Sequence, residues 1–246
     1  MSLRYSLGLA TRFPMIGELY FGGMNASTGV LNVSNPGLKP ESIIANDLTI
    51  TKSFAWNTVA RLSFYQNDVD DAIWKQSNLL LATPTTTYQN VEKVRTRGVE
   101  LGLDVRDLLT QGLNLNASVA WAEPKILRNT TYPLSKGNNF PSVPTRRAKL
   151  GLDYAPSERW FVGLSADYAS RPYSSLENND RRCSGNTGYG GIDEYLIFNT
   201  RAGYKITPQL SASLGVDNLT DEIYFESHPY QRRTFFCNLK YVFSED

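Results

Sequence analysis

The stretch Lys149-Leu-Gly-Leu-Asp-Tyr-Ala-Pro-Ser-Glu-Arg-Trp-Phe-Val-Gly-Leu-Ser-Ala-Asp-Tyr168 decides the fold of this chain. It predicts two strands joined by a turn at Pro156-Ser-Glu-Arg159. Successive side chains of a strand point to opposite faces, so the stretch separates its apolar residues from its polar ones. The apolar face carries Leu150, Leu152, Tyr154, Trp160, Val162, Leu164, Ala166 and Tyr168. The polar face carries Lys149, Asp153, Ser165 and Asp167.

The same alternation recurs along the chain and predicts ten strands, which cover approximately residues 3–10, 42–55, 58–68, 90–106, 112–123, 145–156, 159–170, 193–206, 208–219 and 232–243. Their connections alternate in length. The short turns lie near residues 56–57, 107–111, 156–158 and 207–208, and the long loops at 11–41, 69–89, 124–145, 171–193 and 221–232. Such strands, with one apolar face, are typical of an outer-membrane barrel whose long loops lie outside the cell. The predicted fold class is therefore all-β, an antiparallel transmembrane β-barrel.

Composition supports this interpretation by exclusion. The chain has 246 residues, 41% of them hydrophobic, and a net charge of +1, so it gives no sign of the basic face that nucleic-acid binding requires. It has no run of about 18 consecutive apolar residues, which excludes helical membrane spans. The mean hydropathy of −0.34 would suit a soluble protein, but barrel strands escape such averages because half of their side chains face water.

Aromatic residues give an independent check, because they gather at both interfaces of a membrane barrel. Two girdles are predicted. The strand ends beside the short turns carry Phe54, Trp56, Tyr154, Trp160, Tyr204, Tyr241 and Phe243, and the opposite ends carry Phe64, Trp121, Tyr168, Phe198 and Phe235. Charges of both signs lie on the other face, at Asp47, Arg61, Glu100, Asp104, Arg147, Lys149, Asp153, Asp167, Arg201, Lys205, Asp217 and Lys240. A wall of this kind is expected to line water or a polar filler, since burying an unpaired charge is costly.

Four phrases resemble the C-terminal half of TonB-dependent outer-membrane receptors. They are Thr11-Arg-Phe-Pro-Met-Ile-Gly-Glu-Leu-Tyr20, Asn35-Pro-Gly-Leu-Lys-Pro-Glu41, Tyr88-Gln-Asn-Val-Glu92 with Gly98-Val-Glu-Leu101, and Val216-Asp-Asn-Leu-Thr-Asp-Glu-Ile-Tyr224. Together they cover nearly the whole chain in the order of the family. The last strand also resembles the family's assembly signal, with Phe235, Cys237, Leu239, Tyr241 and Phe243 in alternation, and departs from it in the tail Ser244-Glu-Asp246.

The resemblance implies that residues 1–246 are the last ten strands of a 22-stranded barrel, the C-terminal portion of a receptor, without its plug domain and N-terminal strands. The missing export signal agrees with a fragment or truncated chain. The implied function is active import of a metal chelate, a ferric siderophore, across the outer membrane of a Gram-negative bacterium. The implied partners are that chelate, outer-membrane lipid, and the TonB-ExbB-ExbD energy-coupling complex, reached through a TonB box in the missing N-terminal part.

Candidate ligand-binding residues lie in the predicted outer loops, where aromatic and cationic groups suit a bulky anionic chelate. They are Tyr20, Trp74, Arg181, Arg182, Tyr224 and His228. Arg181 and Arg182 are adjacent cations in a Gly-rich loop, and Tyr20 lies inside a family phrase. His228 is the only histidine. It equally suits loop packing, since with Glu226 alone it makes no complete metal site.

Several alternatives remain open at this stage. Haem, cobalamin, copper and sugar importers share the same barrel phrases, so the imported ligand is weakly determined. A passive outer-membrane channel and an inactive structural fragment are the other classes, and an outer-membrane protease with His228 as its base is the least favoured. We expect no enzyme activity, no catalytic residue, no metal site and no cofactor. We also expect no bridge between Cys183, in a loop, and Cys237, on the apolar face of the last strand.

Overall fold

The computed structural model describes residues 1–78, 85–179, 191–226 and 228–243. Ten long strands form one antiparallel sheet, in the order β1-β4-β5-β6-β7-β8-β9-β10-β11-β14, which confirms the predicted fold class and strand number. These strands are β1 (Ser2–Arg12), β4 (Glu41–Phe54), β5 (Thr58–Asn78), β6 (Thr85–Val105), β7 (Leu113–Arg128), β8 (Arg146–Ser157), β9 (Trp160–Ala169), β10 (Tyr195–Lys205), β11 (Leu210–Asp217) and β14 (Thr234–Tyr241). The shorter elements lie in the long connections: a helical turn α1 (Ile16–Leu19), β2 (Gly23–Asn25), β3 (Val30–Val33), a 3-10 turn (Pro133–Ser135), β12 (Phe225–Glu226) and β13 (His228–Pro229).

The β8–β9 hairpin has the predicted register. Leu152 lies opposite Leu164, and Lys149 lies opposite Asp167, so the apolar and polar faces separate as the alternation requires. The register shifts between Tyr154 and Ser157, at the turn. There the rings of Tyr154 and Trp160 meet edge to face, with centroids 5.5 Å apart.

The apolar face is the outer surface of the sheet and is open to its surroundings. A single row crosses β4 to β7, with Leu48 opposite Phe64, Phe64 opposite Val99, and Val99 opposite Trp121. Large apolar side chains on this face are exposed, among them Leu150 at 49% and Leu164 at 47%. Such exposure suits contact with lipid, because soluble monomers rarely leave so large an apolar surface in water.

The short connections confirm one end of the predicted arrangement. Ala55, Trp56 and Asn57 connect β4 to β5, and Trp56 and Asn57 have φ of 59° and 50°. Both residues therefore lie in the left-handed region, and the chain reverses there within a three-residue hairpin loop. Trp56 is 90% exposed there, as expected of a girdle residue beside a short turn.

Residues 69–89 were wrongly predicted to form a loop. β5 continues to Asn78 and β6 begins at Thr85, with pairing maintained out to Asn78 opposite Thr85. The extension projects beyond the apolar belt, where both faces meet polar surroundings and alternation is no longer required. Polar side chains pair across it instead, for example the hydroxyls of Ser77 and Thr86 at 2.9 Å.

β7 also runs further than predicted, to Arg128, through Pro124. A proline is tolerated there because β8 begins its pairing with β7 only at Trp121, so the missing N–H of Pro124 leaves no ladder bond unmade on that side. The carbonyl of Pro124 accepts a hydrogen bond from the Phe140 amide at 2.7 Å. The loop after β7 therefore runs back alongside the end of that strand.

A small apolar core stabilises this projecting region. Its buried members are Ala72, Val91, Val94, Ile126 and Leu176. The first four come from β5, β6 and β7, whereas Leu176 comes from the connection after β9 and is only 1% exposed. Burying a leucine contributes about 1.5 to 3 kcal/mol, so this contact fixes the connection across the outer ends of the strands.

Within the part of the chain that the structure describes, β1 pairs only with β4 and β14 pairs only with β11. The two outermost strands of the sheet therefore each present one open edge. No helix of the described residues is long and apolar enough to cross a membrane.

Candidate ligand-binding surface

An ion cluster joins the outer end of β1 to its neighbours. Arg12 donates from Nε and Nη2 to both carboxylate oxygens of Glu41, at 2.8 and 3.0 Å. Its Nη1 donates to both oxygens of Glu18, at 3.0 and 3.1 Å. Glu18 also accepts the Met15 amide, and Glu41 accepts the Ile73 amide. One guanidinium thus ties β1, α1, β4 and β5 together.

The cluster explains two of the phrases on which the family resemblance depends, since Arg12 and Glu18 come from the first and Glu41 closes the second. Glu18 is 8% exposed. A guanidinium stays protonated in proteins, so its four hydrogen bonds to Glu18 and Glu41 are charge-assisted. Arg12 is therefore a permanent cation held for structure, and the sequence reasoning did not identify it as such.

Tyr20 lies at the C-terminal end of α1, where its backbone N–H bonds to Ile16 O at 3.0 Å. Its side chain is 64% exposed. The chain beyond it is fixed by Asn35, which donates from its side chain to Tyr88 O at 2.9 Å. Tyr20 is thus an exposed ring on an anchored segment, which is a geometry suited to contact with a ligand.

Three tyrosines stack at the outer ends of β10 and the last loop. The ring of Tyr224 lies 4.7 Å from that of Tyr195 and 4.8 Å from that of Tyr230, centroid to centroid. Tyr224 is 4% exposed, whereas Tyr230, at the end of the stack, is 52% exposed. Burial, and then the neighbouring Tyr230 and Tyr195, raise the pKa of Tyr224 well above its ordinary value. Its phenol stays protonated at physiological pH, so Tyr224 packs the loop and does not offer a phenolate.

The last loop is held at its base by Asn218. The side chain of Asn218 donates to Glu222 O at 2.9 Å and to Gln231 O at 3.3 Å, and accepts the Glu222 amide at 2.8 Å. Asn218 has φ of 52° and is 3% exposed. An asparagine tolerates this left-handed conformation better than most residues. Its side-chain amide forms hydrogen bonds with the backbone on both sides of the loop, at Glu222 and Gln231.

The structure places His228 at an exposed position and Trp74 at a packed one. His228 is exposed in the two-residue strand β13, opposite Glu226 of β12. Trp74 lies on β5 and meets Phe140 edge to face, with centroids 5.3 Å apart, beside the small apolar core. Trp74 therefore has a packing role, while His228 and Tyr224 share the last loop. The described residues contain no group of three His, Cys, Asp or Glu side chains that could hold a metal ion.

Arg181 and Arg182 lie outside the described residues, as does Cys183. The segment that leads to them is anchored. Asn178 and Asn139 exchange hydrogen bonds between side chain and backbone, at 2.7 and 2.9 Å. Cys237 is a free thiol on the exposed outer face, opposite Leu214.

The polar face of the sheet carries charges of both signs, as predicted, and the structure pairs several of them. Arg61 and Asp104 form an ion pair at 2.7 Å, and Lys149 and Asp167 form one at 3.6 Å. A groove of about 560 Å³ runs along this face across β5 to β9. Glu100 also lines this groove. Such a wall suits a water-filled or polar lumen, because every one of these charges stays partly hydrated.

Aromatic rings on the polar face were not anticipated. Tyr65, Phe161 and Phe236 lie opposite Gly98, Gly203 and Gly215. A Cβ on any of these glycines would fall within the ring opposite it. The pairing joins residues that are distant in sequence, so only the register of the sheet reveals it.

Comparison with known proteins agrees with this geometry. Residues 1–219 match the family model described as "TonB dependent receptor-like, beta-barrel". A probable TonB-dependent siderophore receptor, PiuA, of Acinetobacter baumannii is 23% identical over 82% of this chain. A vitamin B12 transporter, BtuB, of Photobacterium profundum is 22% identical over 96% of this chain. The chain spans only 27% and 37% of the length of these two relatives.

Solved structures support the same fold. The copper transporter OprC superposes with a TM-score of 0.71 at 24% identity, covering 98% of this chain and 37% of that protein. The ferric enterobactin receptor PfeA of Pseudomonas aeruginosa, solved as a mutant, superposes with a TM-score of 0.70 at 20% identity, covering 98% of this chain and 38% of that protein. At these identities the likeness concerns the fold.

Proposed function

The chain belongs to the TonB-dependent receptor-like β-barrel family, outer-membrane transport proteins of Gram-negative bacteria and not enzymes, and on that premise we propose that it forms the barrel wall and extracellular ligand-binding loops of an importer of ferric siderophores. Residues 1–246 are, in this proposal, the C-terminal portion of the receptor barrel. A plug domain and a TonB box in the N-terminal part of the receptor connect it to the TonB-ExbB-ExbD complex.

The observation that carries the proposal is the two-faced sheet with open edges. Leu152 and Leu164 lie on an exposed apolar face, and Arg61, Asp104 and Lys149 line a hydrated groove on the other. A wide lumen accommodates these charges with water or a polar plug, whereas ten strands closed on themselves would crowd them.

Three features favour a ferric siderophore as the ligand. Arg181 and Arg182 supply adjacent guanidinium groups, which bind anionic oxygens through charge-assisted hydrogen bonds. They follow directly on the segment anchored by Asn178. Tyr20 and Tyr230 expose aromatic surface at the same end of the barrel. PiuA, the relative named above, is described as a probable siderophore receptor.

The test is ferric-chelate affinity of the full-length gene product with Arg181→Gln and Arg182→Gln together, at fixed ionic strength. Each charge-assisted hydrogen bond contributes roughly 1.5 to 3 kcal/mol, so affinity should fall by roughly one to four decades. Ferric enterobactin is the first probe, with a ferric hydroxamate, cobalamin and Cu²⁺ as competitors.

The matched control is Arg106→Gln with Arg159→Gln. The two substitutions remove the same charge from exposed positions in the short turns at the opposite end of the barrel. The affinity of this double variant for the ferric chelate should equal that of the wild type. Binding of cobalamin or Cu²⁺ in preference to either ferric chelate would contradict the proposed substrate class, and unchanged affinity in the Arg181/Arg182 variant would remove those two residues from the site.

A further inference from the structure

The carboxylate of Asp193 joins three segments at the outer ends of the last strands. Its Oδ1 accepts a hydrogen bond from Arg171 Nη2 at 3.2 Å, and its Oδ2 accepts one from the Phe225 amide at 3.1 Å. The backbone N–H of Asp193 also donates to Phe225 O at 2.8 Å. Asp193 is only 8% exposed. It therefore binds both backbone polar groups of Phe225 and ties the last loop to the segment that leads into β10.

This anchor lies directly beside the tyrosine stack. Tyr224 precedes Phe225 in the chain, and Tyr195 follows Asp193 by two residues. The ring planes of Tyr195 and Tyr224 differ by 34° and those of Tyr224 and Tyr230 by 25°, so the three rings stack approximately face to face. The Tyr230 amide donates to Tyr224 O at 2.9 Å, which closes the last loop around the stack. The position of Tyr230 thus depends on Tyr224, and that of Tyr224 on Asp193.

The stack lies at the mouth of the lumen. Tyr195 of β10 and Arg147 of β8 both lie opposite Ala169, so their side chains share the lumen face of the sheet. The cavity between Arg147, Asp193 and Tyr195 has a volume of only about 50 Å³. Ligand pockets have about 300 to 1,000 Å³, so this cavity is too small for a chelate. The surface open to a ligand is the free face of Tyr230, which is 52% exposed.

We propose that Asp193 is a positioning residue for chelate capture: it does not contact the ligand, but it holds Tyr230 so that the ring presents one flat face to an aromatic ring of the chelate. The inference rests on the proposed function and narrows its ligand to a chelate with aromatic rings, such as a catecholate. Stacking adds most affinity where the protein ring is fixed in advance, because ordering a mobile side chain or loop on binding costs free energy. A carboxylate suits this role, since its two oxygens accept from Arg171 and Phe225 at once.

The test is a double-mutant cycle in the full-length gene product, with affinity for ferric enterobactin as the readout. Tyr230→Ala removes the stacking face, and Asp193→Ala releases the ring from its position. Each substitution should weaken binding by about tenfold, the upper range for an aromatic pair. Since both remove the same contact, the double variant should also lose about tenfold. If Asp193 only stabilised the fold, the two losses would multiply to about a hundredfold.

A conservative substitution decides the question if Asp193→Ala does not fold. Asp193→Asn keeps the side-chain volume but has one acceptor oxygen in place of two, so it cannot serve Arg171 and Phe225 together. It should weaken binding of ferric enterobactin by about threefold. Combined with Tyr230→Ala, it should add no further loss. Heat-modifiable gel mobility verifies that the compared variants have equal folded fractions.

The matched control lies at the base of the same loop. The Asp221 carboxylate also accepts from an arginine, Arg232, and from a backbone N–H, that of Arg233. Asp221→Asn therefore weakens an equivalent anchor away from the tyrosines and should leave affinity for ferric enterobactin unchanged. Equal losses in Asp193→Asn and Asp221→Asn, losses that multiply in the cycle, or unchanged affinity in Tyr230→Ala would each overturn the proposal. A wild type that binds a ferric hydroxamate but not ferric enterobactin would overturn it too, whereas binding of neither ferric chelate would contradict the proposed function itself and this inference with it.

Discussion

At the scale of the residue, glycines on the lumen face matter through what lies opposite them. Gly98 faces the ring of Tyr65 across β5 and β6. A Cβ at Gly98 would overlap that ring, whereas a Cβ at Gly102, four residues further along β6 and on the same face, would meet nothing nearer than Arg61 Cβ at 3.9 Å. The ring of Tyr65 packs over the backbone of Gly98, which has no side chain of its own there.

We therefore expect Gly98→Ala to destabilise the barrel and Gly102→Ala to leave its stability nearly unchanged. Overpacking of this kind costs about 1 to 3 kcal/mol, because Tyr65 must leave its rotamer. Unfolding in urea of the full-length gene product in lipid vesicles measures both free energies of unfolding. Equal stability of the two variants would mean that Tyr65 moves aside freely and that the aromatic-glycine pair does not stabilise the barrel.

The Arg12 cluster gives a second prediction for a single residue. Arg12→Gln leaves the carboxylates of Glu18 and Glu41 close together without the cation between them. Their remaining hydrogen-bond donors are the backbone N–H groups of Met15 and Ile73. The side chain of Arg12 is 40% exposed. We therefore expect the substitution to lower the free energy of unfolding by about 1 to 3 kcal/mol, less than the loss of a partner in a fully buried pair. Hydrogen exchange of the amides of Met15 and Ile73, which bond to these carboxylates, should quicken. Arg4→Gln, on the same strand, is the control and should leave both amides protected.

At the scale of the element, the strands of the β8–β9 hairpin could be predicted closely and those of the β5–β6 hairpin only in part. In β8–β9 a short turn fixes the register, and the bilayer imposes a period of two from Leu150 to Tyr154. Beyond the apolar belt that constraint ends, so the polar pairs of β5 and β6, such as Ser77 with Thr86, resembled loop sequence. The ion cluster was likewise hidden, because Arg12 and Glu41 are far apart along the chain.

The facing of β9 makes a prediction about depth. Leu164 points to the outer face, and its neighbour Ser165 points to the lumen. We expect Leu164→Arg to destabilise the full-length gene product by about 2 to 4 kcal/mol, the cost of an arginine at the bilayer midplane, and Ser165→Arg to cost much less. An unfolding titration in reconstituted lipid measures both, and equal penalties would show that the facing assignment is off by one residue.

At the scale of the whole molecule, the two outermost strands of the sheet each have one edge without a partner strand among the described residues. β1 and β14 stand at opposite ends of the ten-strand path. With roughly 4.8 Å between neighbouring strands, about 40 Å of sheet separates them. An edge with unpaired N–H and C=O groups is not tolerated in lipid, so each edge needs another strand. This requirement follows from the topology and agrees with a barrel wider than this sheet.

The native thiol Cys237 on β14 allows this to be tested in the full-length gene product with Cys183→Ser. Leu3→Cys, Leu7→Cys or Leu9→Cys on the outward face of β1 should form no disulfide with Cys237 under mild oxidation, because thiols bridge only when their Cα atoms lie within about 7 Å. Leu214→Cys is the positive control, since it lies opposite Cys237 on β11 and antiparallel partners are about 4.5 to 5.5 Å apart. Gel mobility after oxidation reads out the bridge. Bridging from any β1 position as efficient as that of Leu214→Cys would mean that β1 and β14 close directly on each other, and the wider barrel would be wrong.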